Sequence, residues 1–360
     1  MDTFSKKLKE KGIMVDVICS DDYYVTRNTE TKWSFFTTLM LRLCKQPSVV
    51  GKVSRKIFFE FFIYLIIIQY DLIDFHAFVD SDIRLAKFCK SRGIEYDITI
   101  WGSDLLRADN LRIERMKDGF DGSRYIKATE SLHDVLAEKY SGRYEAKKQV
   151  TYFGNSGYDE IDKLSSKDIA LHKHKMYGDT KQKLIVVCGY NGIKFQNHKL
   201  MIQSFQSLSE KYKKNLYLVF PMTYGAPKEY ICEIRNLLER SGYSYTVFDK
   251  FLSNEEVAVI RKTADFVVNI QNTDAFAGSI QDHLYCEQVL LIGEWLQYTA
   301  LDKANVFYLK TSLDELTMKI DTTLSNLDTY KKMCHGNKEK MQILTSWGSV
   351  IDNWSDIYGE

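Results

Sequence analysis

The stretch Asn269–Tyr298, NIQNTDAFAGSIQDHLYCEQVLLIGEWLQY, decides how the rest of the chain is read. It has the pattern of a strand's end, a polar loop, a short helix and a second apolar strand. Asp274 and Asp282 bracket a loop rich in small residues, Ala275-Phe276-Ala277-Gly278-Ser279. Gly278 and Ser279 lead directly into the helix, so free backbone N–H groups and the positive end of the helix dipole face whatever enters the loop. A chain builds a phosphate site in this way. The run Ser279-Ile280-Gln281-Asp282 also has the form of a capping box, in which Ser279 and Asp282 satisfy each other's backbone donors. The two roles are compatible, because capping orients a carboxylate without using all its lone pairs.

Around this stretch lies a chain of 360 residues, 45% hydrophobic and 13% aromatic, long enough for two domains with sizeable cores. A net charge of +1 gives no electrostatic footprint for nucleic acid. The seven cysteines are scattered and form no CxxC, which reads as reduced thiols in a cytoplasmic protein. No signal peptide opens the chain. The most apolar run, Ile57–Ile68 (IFFEFFIYLIII), is shorter than the about 20 residues of a spanning helix and contains Glu60.

Strand and helix patterns alternate on both sides of a polar segment. Met1–Gly12 reads as a helix closed by glycine, followed by a strand over Ile13–Cys19, so the usual first strand of such a domain is either lacking or lies upstream of this start. Further strands are expected at 72–78, 96–101, 125–129 and 150–153, with helices over 82–92 and 130–140. Residues 154–182 lack apolar periodicity and read as a linker. The alternation restarts at 183–188, with strands at 216–220, 245–248, 266–270, 289–292 and 306–309. Helices are expected at 198–212, 228–241, 254–263, 280–287 and 312–325. Two parallel, doubly wound α/β domains follow. Their bounds are 1–160 and 183–335, with a linker at 161–182 and a C-terminal helix within 336–360.

Other constellations can carry chemistry. Gly189-Tyr190-Asn191-Gly192 follows the strand LIVVC, and Gln196-Asn197-His198-Lys199 opens the next helix, a placement suited to a diphosphate. It matches neither GxGxxG nor GxxxxGK[ST]. The alternative is an ordinary turn in which Asn191 and Gly192 supply positive φ. Asp104, in Trp101-Gly102-Ser103-Asp104, follows a strand's carboxyl end and either orients a substrate hydroxyl or caps a helix over 105–116. Asp80-Ser81-Asp82 reads as a cap, and the histidines show no metal-ligand spacing outside His172/His174 in the linker. The run Ile57–Ile68 is apolar on every helical face, which favours burial. With Lys45, Lys52, Arg55 and Lys56 before it, the alternative is docking on an anionic membrane.

Taken in order, these pieces resemble a GT-B glycosyltransferase along nearly the whole chain. YDLIDFHAF followed by YDITIWGSDLLR resembles the strand–helix–strand segment of bacterial enzymes that build surface polysaccharides, and VTYFGNSGYDEI resembles the stretch closing the first domain. VVCGYNGIKFQNHK is similar to the donor diphosphate loop, and FDKFLSNEEVAVIRKTADFVVN to the loop and helix beside the nucleotide base. GYNG…NH and FPMTYG also resemble 4-acetamido-4,6-dideoxygalactose transferases.

The resemblance implies two Rossmann-like domains facing each other across a cleft. Asp274 and Asp282 are similar to the E-x7-E pair of retaining enzymes, with aspartate at both positions. By this likeness Asp282 holds the donor ribose, Gly278 and Ser279 meet the diphosphate, and Asp274 lies near the donor sugar. Gly189, Tyr190, Asn191, Gly192, Lys194, Asn197, His198 and Phe251 complete the donor site. Tyr190 stands where relatives carry an arginine, leaving Lys194 or Lys199 as the cation. Trp101 stands where many carry a histidine, leaving Asp104 or the departing phosphate to assist the acceptor hydroxyl. The implied activity is sugar transfer from a nucleotide diphosphate sugar to a saccharide, polyprenyl-linked acceptor, without metal or cofactor. It would take place at the inner face of the bacterial membrane, with peripheral contact through residues 45–70. A nucleotide-sugar 2-epimerase and an inactive subunit that stabilises a partner transferase are the alternatives.

Overall fold

The computed structural model describes residues 1–19, 24–26, 63–180 and 183–359. The basic group at Lys45–Lys56 and the start of the apolar run, residues 57–62, lie outside them. Of the rest of that run, Ile63, Ile66 and Ile67 are buried, while Leu65 and Ile68 are exposed. No helix among the described residues is long and apolar enough to cross a membrane. The chain divides into two compact units, Met1–Gly154 with Val350–Glu360, and Asn155–Ser349.

The first unit contains an N-terminal helix, Asp2–Glu10, and a small antiparallel pair, β1 (Val17–Cys19) with β2 (Tyr24–Thr26). Its main sheet is parallel in the order β3 (Leu72–His76), β4 (Glu95–Thr99), β5 (Ile126–Ala128), β6 (Lys148–Val150). Helices Asp80–Arg92, Asn110–Gly122 and Glu130–Tyr140 form the crossovers. The Asp82 carboxylate accepts from the Val79 N–H at 2.9 Å, so it caps its helix as the sequence predicts. Phe75, Phe78, Tyr96, Ile98 and Phe120 fill the core.

Through this core runs an ionic network. Lys127 on β5 is fully buried and bonds Asp74 at 2.7 Å and Asp97 at 2.9 Å. Arg124 pairs with Asp97 at 3.1 Å and donates to the Ile357 carbonyl at 2.9 Å, while the Tyr358 hydroxyl donates to Asp74. The Trp354 indole donates to the Tyr152 carbonyl at 2.9 Å, which completes the fastening of the last helix, Trp347–Gly359, to this sheet.

The second unit begins with two helices, Gly157–Lys163 and Ser166–Tyr177, where the sequence reads as a linker. Their buried residues are few, Tyr158, Ile161 and Tyr177, so no periodicity shows. The second helix is secured by a capping box between Ser165 and Asp168. The six strands that follow are all parallel: β7 (Leu184–Cys188), β8 (Leu216–Pro221), β9 (Ser244–Phe248), β10 (Phe266–Asn269), β11 (Val289–Gly293) and β12 (Leu309–Thr311). Their order is β12-β11-β10-β7-β8-β9. Read from β9 this is the doubly wound order 3-2-1-4-5-6, whose strand order reverses between β7 and β10. In such sheets ligands bind at the carboxyl ends of the strands where the order reverses.

Candidate functional site

Both loops singled out in the sequence leave the strands at this reversal. The first loop starts at Gly189, whose φ of +68° favours glycine. A Cβ there would stand 2.8 Å from Gln196 Oε1 and 3.3 Å from His198 Nε2. The second loop runs from Ile270 to Ala277 and includes Phe276 at φ +68°, an uncommon conformation for a bulky residue. The Phe276 ring is buried, with its centroid 5.7 Å from that of Tyr298. Backbone outliers of this kind gather at ligand loops.

Polar side chains bind the two loops together. Gln271 Oε1 accepts from the Tyr190 hydroxyl at 2.9 Å and from Gln196 Nε2 at 2.6 Å. Asn197 Nδ2 donates at 2.7 Å to both the Ile270 carbonyl and Asn272 Oδ1, and the Asn272 N–H donates to the Phe195 carbonyl at 2.9 Å. Asp274 accepts from the Tyr298 hydroxyl and from the Ala277 N–H at 3.2 Å, with the Tyr190 hydroxyl 3.5 Å away. Burial raises the Asp274 carboxyl above its usual range, and the donations from Tyr298 and Ala277 offset part of that rise.

The helix after the second loop is Gly278–Tyr285, and its N-cap is Ala277. The expected capping box does not form: Ser279 lies inside the first turn, and its hydroxyl has no partner among the described residues. No side chain caps this helix; the Asp274 carboxylate instead holds the N–H of the N-cap residue itself, Ala277. That leaves the N–H groups of Gly278 and Ser279 without an acceptor among the described residues, since the helical bonds begin with Ile280 and Gln281 to the Ala277 carbonyl.

Further unpartnered polar atoms collect beside them. Both side-chain polar atoms of Asn269, at the end of β10 and 1% exposed, lack a partner among the described residues, as do Gln281 Oε1 and His283 Nδ1. Buried polar groups left unpaired cost about 1–3 kcal/mol each, so such atoms at the end of β10 and along the helix Gly278–Tyr285 call for a ligand or solvent.

Asp282 is nearly buried and tied on both sides. Asn155 Nδ2 donates to its Oδ1 at 2.8 Å and to the Gly278 carbonyl at 3.2 Å, while Arg261 Nε lies 3.5 Å from Oδ2. Burial raises this carboxyl, and Arg261 and Asn155 work against the rise. Arg261 Nη1 also meets His283 Nε2 at 2.9 Å. Burial holds His283 well below its ordinary pKa, with the guanidinium adding to the effect. Its Nε2 therefore accepts, and the proton sits on Nδ1. Asn155, Arg261, Gln271 and Tyr298 were not given roles by sequence, and only folding brings them to this site.

The remaining expected residues divide. His198 is fully buried, with Nδ1 3.3 Å from the Tyr230 hydroxyl, and burial lowers its pKa to about 4, so it is neutral. Asn191 Oδ1 accepts from the Ile193 N–H at 2.9 Å, and the Gly192 N–H donates to the Tyr224 carbonyl at 2.7 Å, so both shape the turn. The positive φ expected at Asn191 and Gly192 falls on Gly189 and Asn197 instead. Lys194 is exposed, with its ammonium 5.5 Å from the Tyr230 ring centre, whereas Lys199 is bound to Glu233. Phe251 is 82% exposed and lies nearly parallel to Tyr224, with centroids 6.2 Å apart. In the first unit Asp104 is 3% exposed, and its carboxylate accepts from the N–H groups of Trp101 at 3.1 Å and Gly102 at 2.8 Å. It fastens its own loop, and the helix expected over 105–116 is not continuous. That segment is split into Ser103–Leu106 and Asn110–Gly122, the latter capped by Asp109. Among the described residues no group of three or more His, Cys, Asp or Glu is placed to hold a metal.

No family model and no curated protein matches the sequence. Solved structures do. The chain is similar to HepE of Anabaena in complex with UDP and glucose, with a TM-score of 0.68 at 13% identity over 87% of this chain and 84% of that one. It is similar to the sucrose-phosphate synthase of Thermosynechococcus elongatus, with a TM-score of 0.65 at 12% identity over 87% and 80%. It is also similar to an α,α-trehalose 6-phosphate synthase of Burkholderia multivorans, with a TM-score of 0.64 at 11% identity over 86% and 74%. These likenesses, with the two parallel sheets, establish the α/β GT-B fold.

Proposed function

We propose that this GT-B chain is a glycosyltransferase that moves a sugar from a nucleotide diphosphate sugar to a saccharide acceptor. One observation carries the reading: the N–H groups of Gly278 and Ser279 stand without acceptors at the strand-order reversal, beside the unpartnered Ser279 hydroxyl and Asn269 amide. A helix N-terminus carries roughly half a positive charge. There it meets the charge that grows on a departing diphosphate, which is where stabilisation lowers a transfer barrier most. Lys194 is the exposed cation on the facing loop. Asp282 has acceptor capacity left for ribose hydroxyls after its bonds to Asn155 and Arg261. Asp274 stands near the transferred sugar, and Phe251 with Tyr224 borders the base. The Asp274/Asp282 spacing favours retention, and the diphosphate charge is met by the helix end and Lys194 without a metal. HepE, in complex with UDP and glucose, supports a uridine-type donor. The acceptor is a polyprenyl-linked saccharide in bacterial surface-polysaccharide assembly at the inner membrane face.

A second reading, an inactive subunit, draws on Lys199 being bound to Glu233 and Arg261 to Asp282, which leaves the loops short of cations. Calorimetric titration of the full chain with UDP-, GDP- and TDP-sugars separates the two. Saturable binding of one donor is expected, with release of the free sugar or its transfer on prolonged incubation. Binding of none overturns the transferase.

A further inference from the structure

We infer that Trp101 is a stacking platform for a ring of the acceptor saccharide, an inference that rests on the transferase reading. Trp101 follows β4 at the carboxyl edge of the first unit's sheet, after Ile100, whose N–H donates to the Lys127 carbonyl at 2.8 Å. Gly102 turns the chain there at φ +111°, a conformation that favours glycine. The indole is 45% exposed, yet it is held on several sides. Its Nε1–H donates to His76 Nδ1 at 3.2 Å, and His76 Nε2 stands 3.1 Å from Asp74. The Phe153 ring supports it, with centroids 4.9 Å apart, and His76 meets it edge-on at 6.1 Å. Behind them lies the fully buried Trp354, whose ring centroid is 4.9 Å from that of Phe153 and 6.3 Å from that of His76.

A surface tryptophan with no task is free to rotate or fold down onto apolar neighbours. This one is pinned by a hydrogen-bond relay that ends in the buried Asp74–Lys127 pair, with its free surface turned outward. A rigid exposed aromatic surface suits a sugar ring, which offers a C–H face to an aromatic plane. Among the described residues, Asp104 is held by backbone N–H groups and His76 is engaged on both nitrogens, so neither is free to pair with a charged peptide.

The test uses the full chain labelled with 5-fluorotryptophan, titrated separately with maltose, cellobiose and N,N′-diacetylchitobiose, and observed by fluorine NMR. The Trp101 line is assigned by its absence in Trp101→Phe. At least one disaccharide is expected to shift that line saturably, and saturation-transfer signals on the same sugar should weaken roughly tenfold in Trp101→Ala. Trp101→Phe, which keeps an aromatic face but loses the bond to His76, should fall between the two. UDP titration of each variant is expected to match the parent, because the proposed donor site lies in the other unit. If none of the three sugars moves the Trp101 line, or if Trp101→Ala binds the sugar as the parent does, the platform is refuted. Sugar binding at Trp101 in a chain that binds no nucleotide would instead refute the transferase and leave the platform standing.

Discussion

Replacing Gly278 by proline removes one proposed phosphate donor while sparing the fold. Gly278 is the first residue of its helix, the position where proline is best tolerated, because the N–H it lacks has no helical partner anyway. Proline also restricts the residue before it to extended conformations, and Ala277 already lies at φ −54°, ψ 141°. Space is available as well: a Cβ at 278 meets nothing closer than Asn155 Nδ2 at 3.8 Å. The substitution should therefore leave the melting temperature unchanged or raise it slightly, since proline at a compatible site stabilises by about 0.4–1 kcal/mol. A hydrogen bond to a charged group contributes about 1.5–3 kcal/mol. At 1.4 kcal/mol per decade this gives a roughly ten- to hundred-fold loss of affinity for a nucleoside diphosphate. Gly278→Ala keeps the N–H and should bind within about twofold of the parent by the same affinity scale. Calorimetry with UDP and thermal unfolding of all three proteins check this. A folded Gly278→Pro variant that binds the diphosphate like the parent refutes the assignment of this helix end as the anion site.

Three further outcomes follow from buried charge. Lys127→Met strands the carboxylates of Asp74 and Asp97 and should destabilise the first unit by about 3–5 kcal/mol, read by urea unfolding. Burial alone would raise the Asp74 carboxyl, but Lys127 and His76 overcome it and hold it well below its ordinary value. Its stabilising contribution is therefore complete at neutral pH and lost as pH falls below about 4, so melting temperature should drop between pH 5 and pH 3, and less steeply in Lys127→Met. Asp282→Asn leaves the Arg261 cation buried without its counter-charge. It should lower both stability and donor affinity, while Asp282→Asn with Arg261→Gln restores stability but not affinity, measured by paired melts and titrations.

Elements with strong local signals lie where the sequence puts them. The helix Asn254–Thr263 coincides with its expected span, and Ser253 with Glu256 supplies the capping box that starts it. Lys228–Ser241 coincides as well, closed by Gly242 in the left-handed region. Both carry local stop or start chemistry and an apolar stripe. The two helices in the expected linker were hidden because they bury only a few aromatic and aliphatic residues. The ionic network was hidden for another reason. Lys127 in YIKAT looks like an exposed strand residue until parallel register sets it opposite Thr99 and sets Asp97 opposite Asp74. Asn155 carries no local signal at all: its contact with Asp282 spans 127 positions in sequence.

On the proposed reading, the charge balance of the site accounts for a tyrosine at position 190. The proposed diphosphate would bring negative charge to loops that already hold Asp274 and Asp282, so the proposal requires those carboxylates to be compensated locally. Arg261 meets Asp282 from the neighbouring helix, and Tyr298 with the Ala277 N–H satisfies Asp274. Each carboxylate is thus compensated from its own side, and the potential felt at Gly278 is governed by the helix end. Tyr190 on the first loop then has no charge to cancel. It acts as a strut, its hydroxyl bonded to Gln271 and directed toward Asp274, and it fixes the distance between the two loops. Tyr190 stands on the first loop where the resemblance leads one to expect an arginine, and the arginine near the two loops, Arg261 on the helix Asn254–Thr263, pairs with Asp282. Anion binding at this site should accordingly depend more on the geometry of backbone N–H groups than on any single cationic side chain.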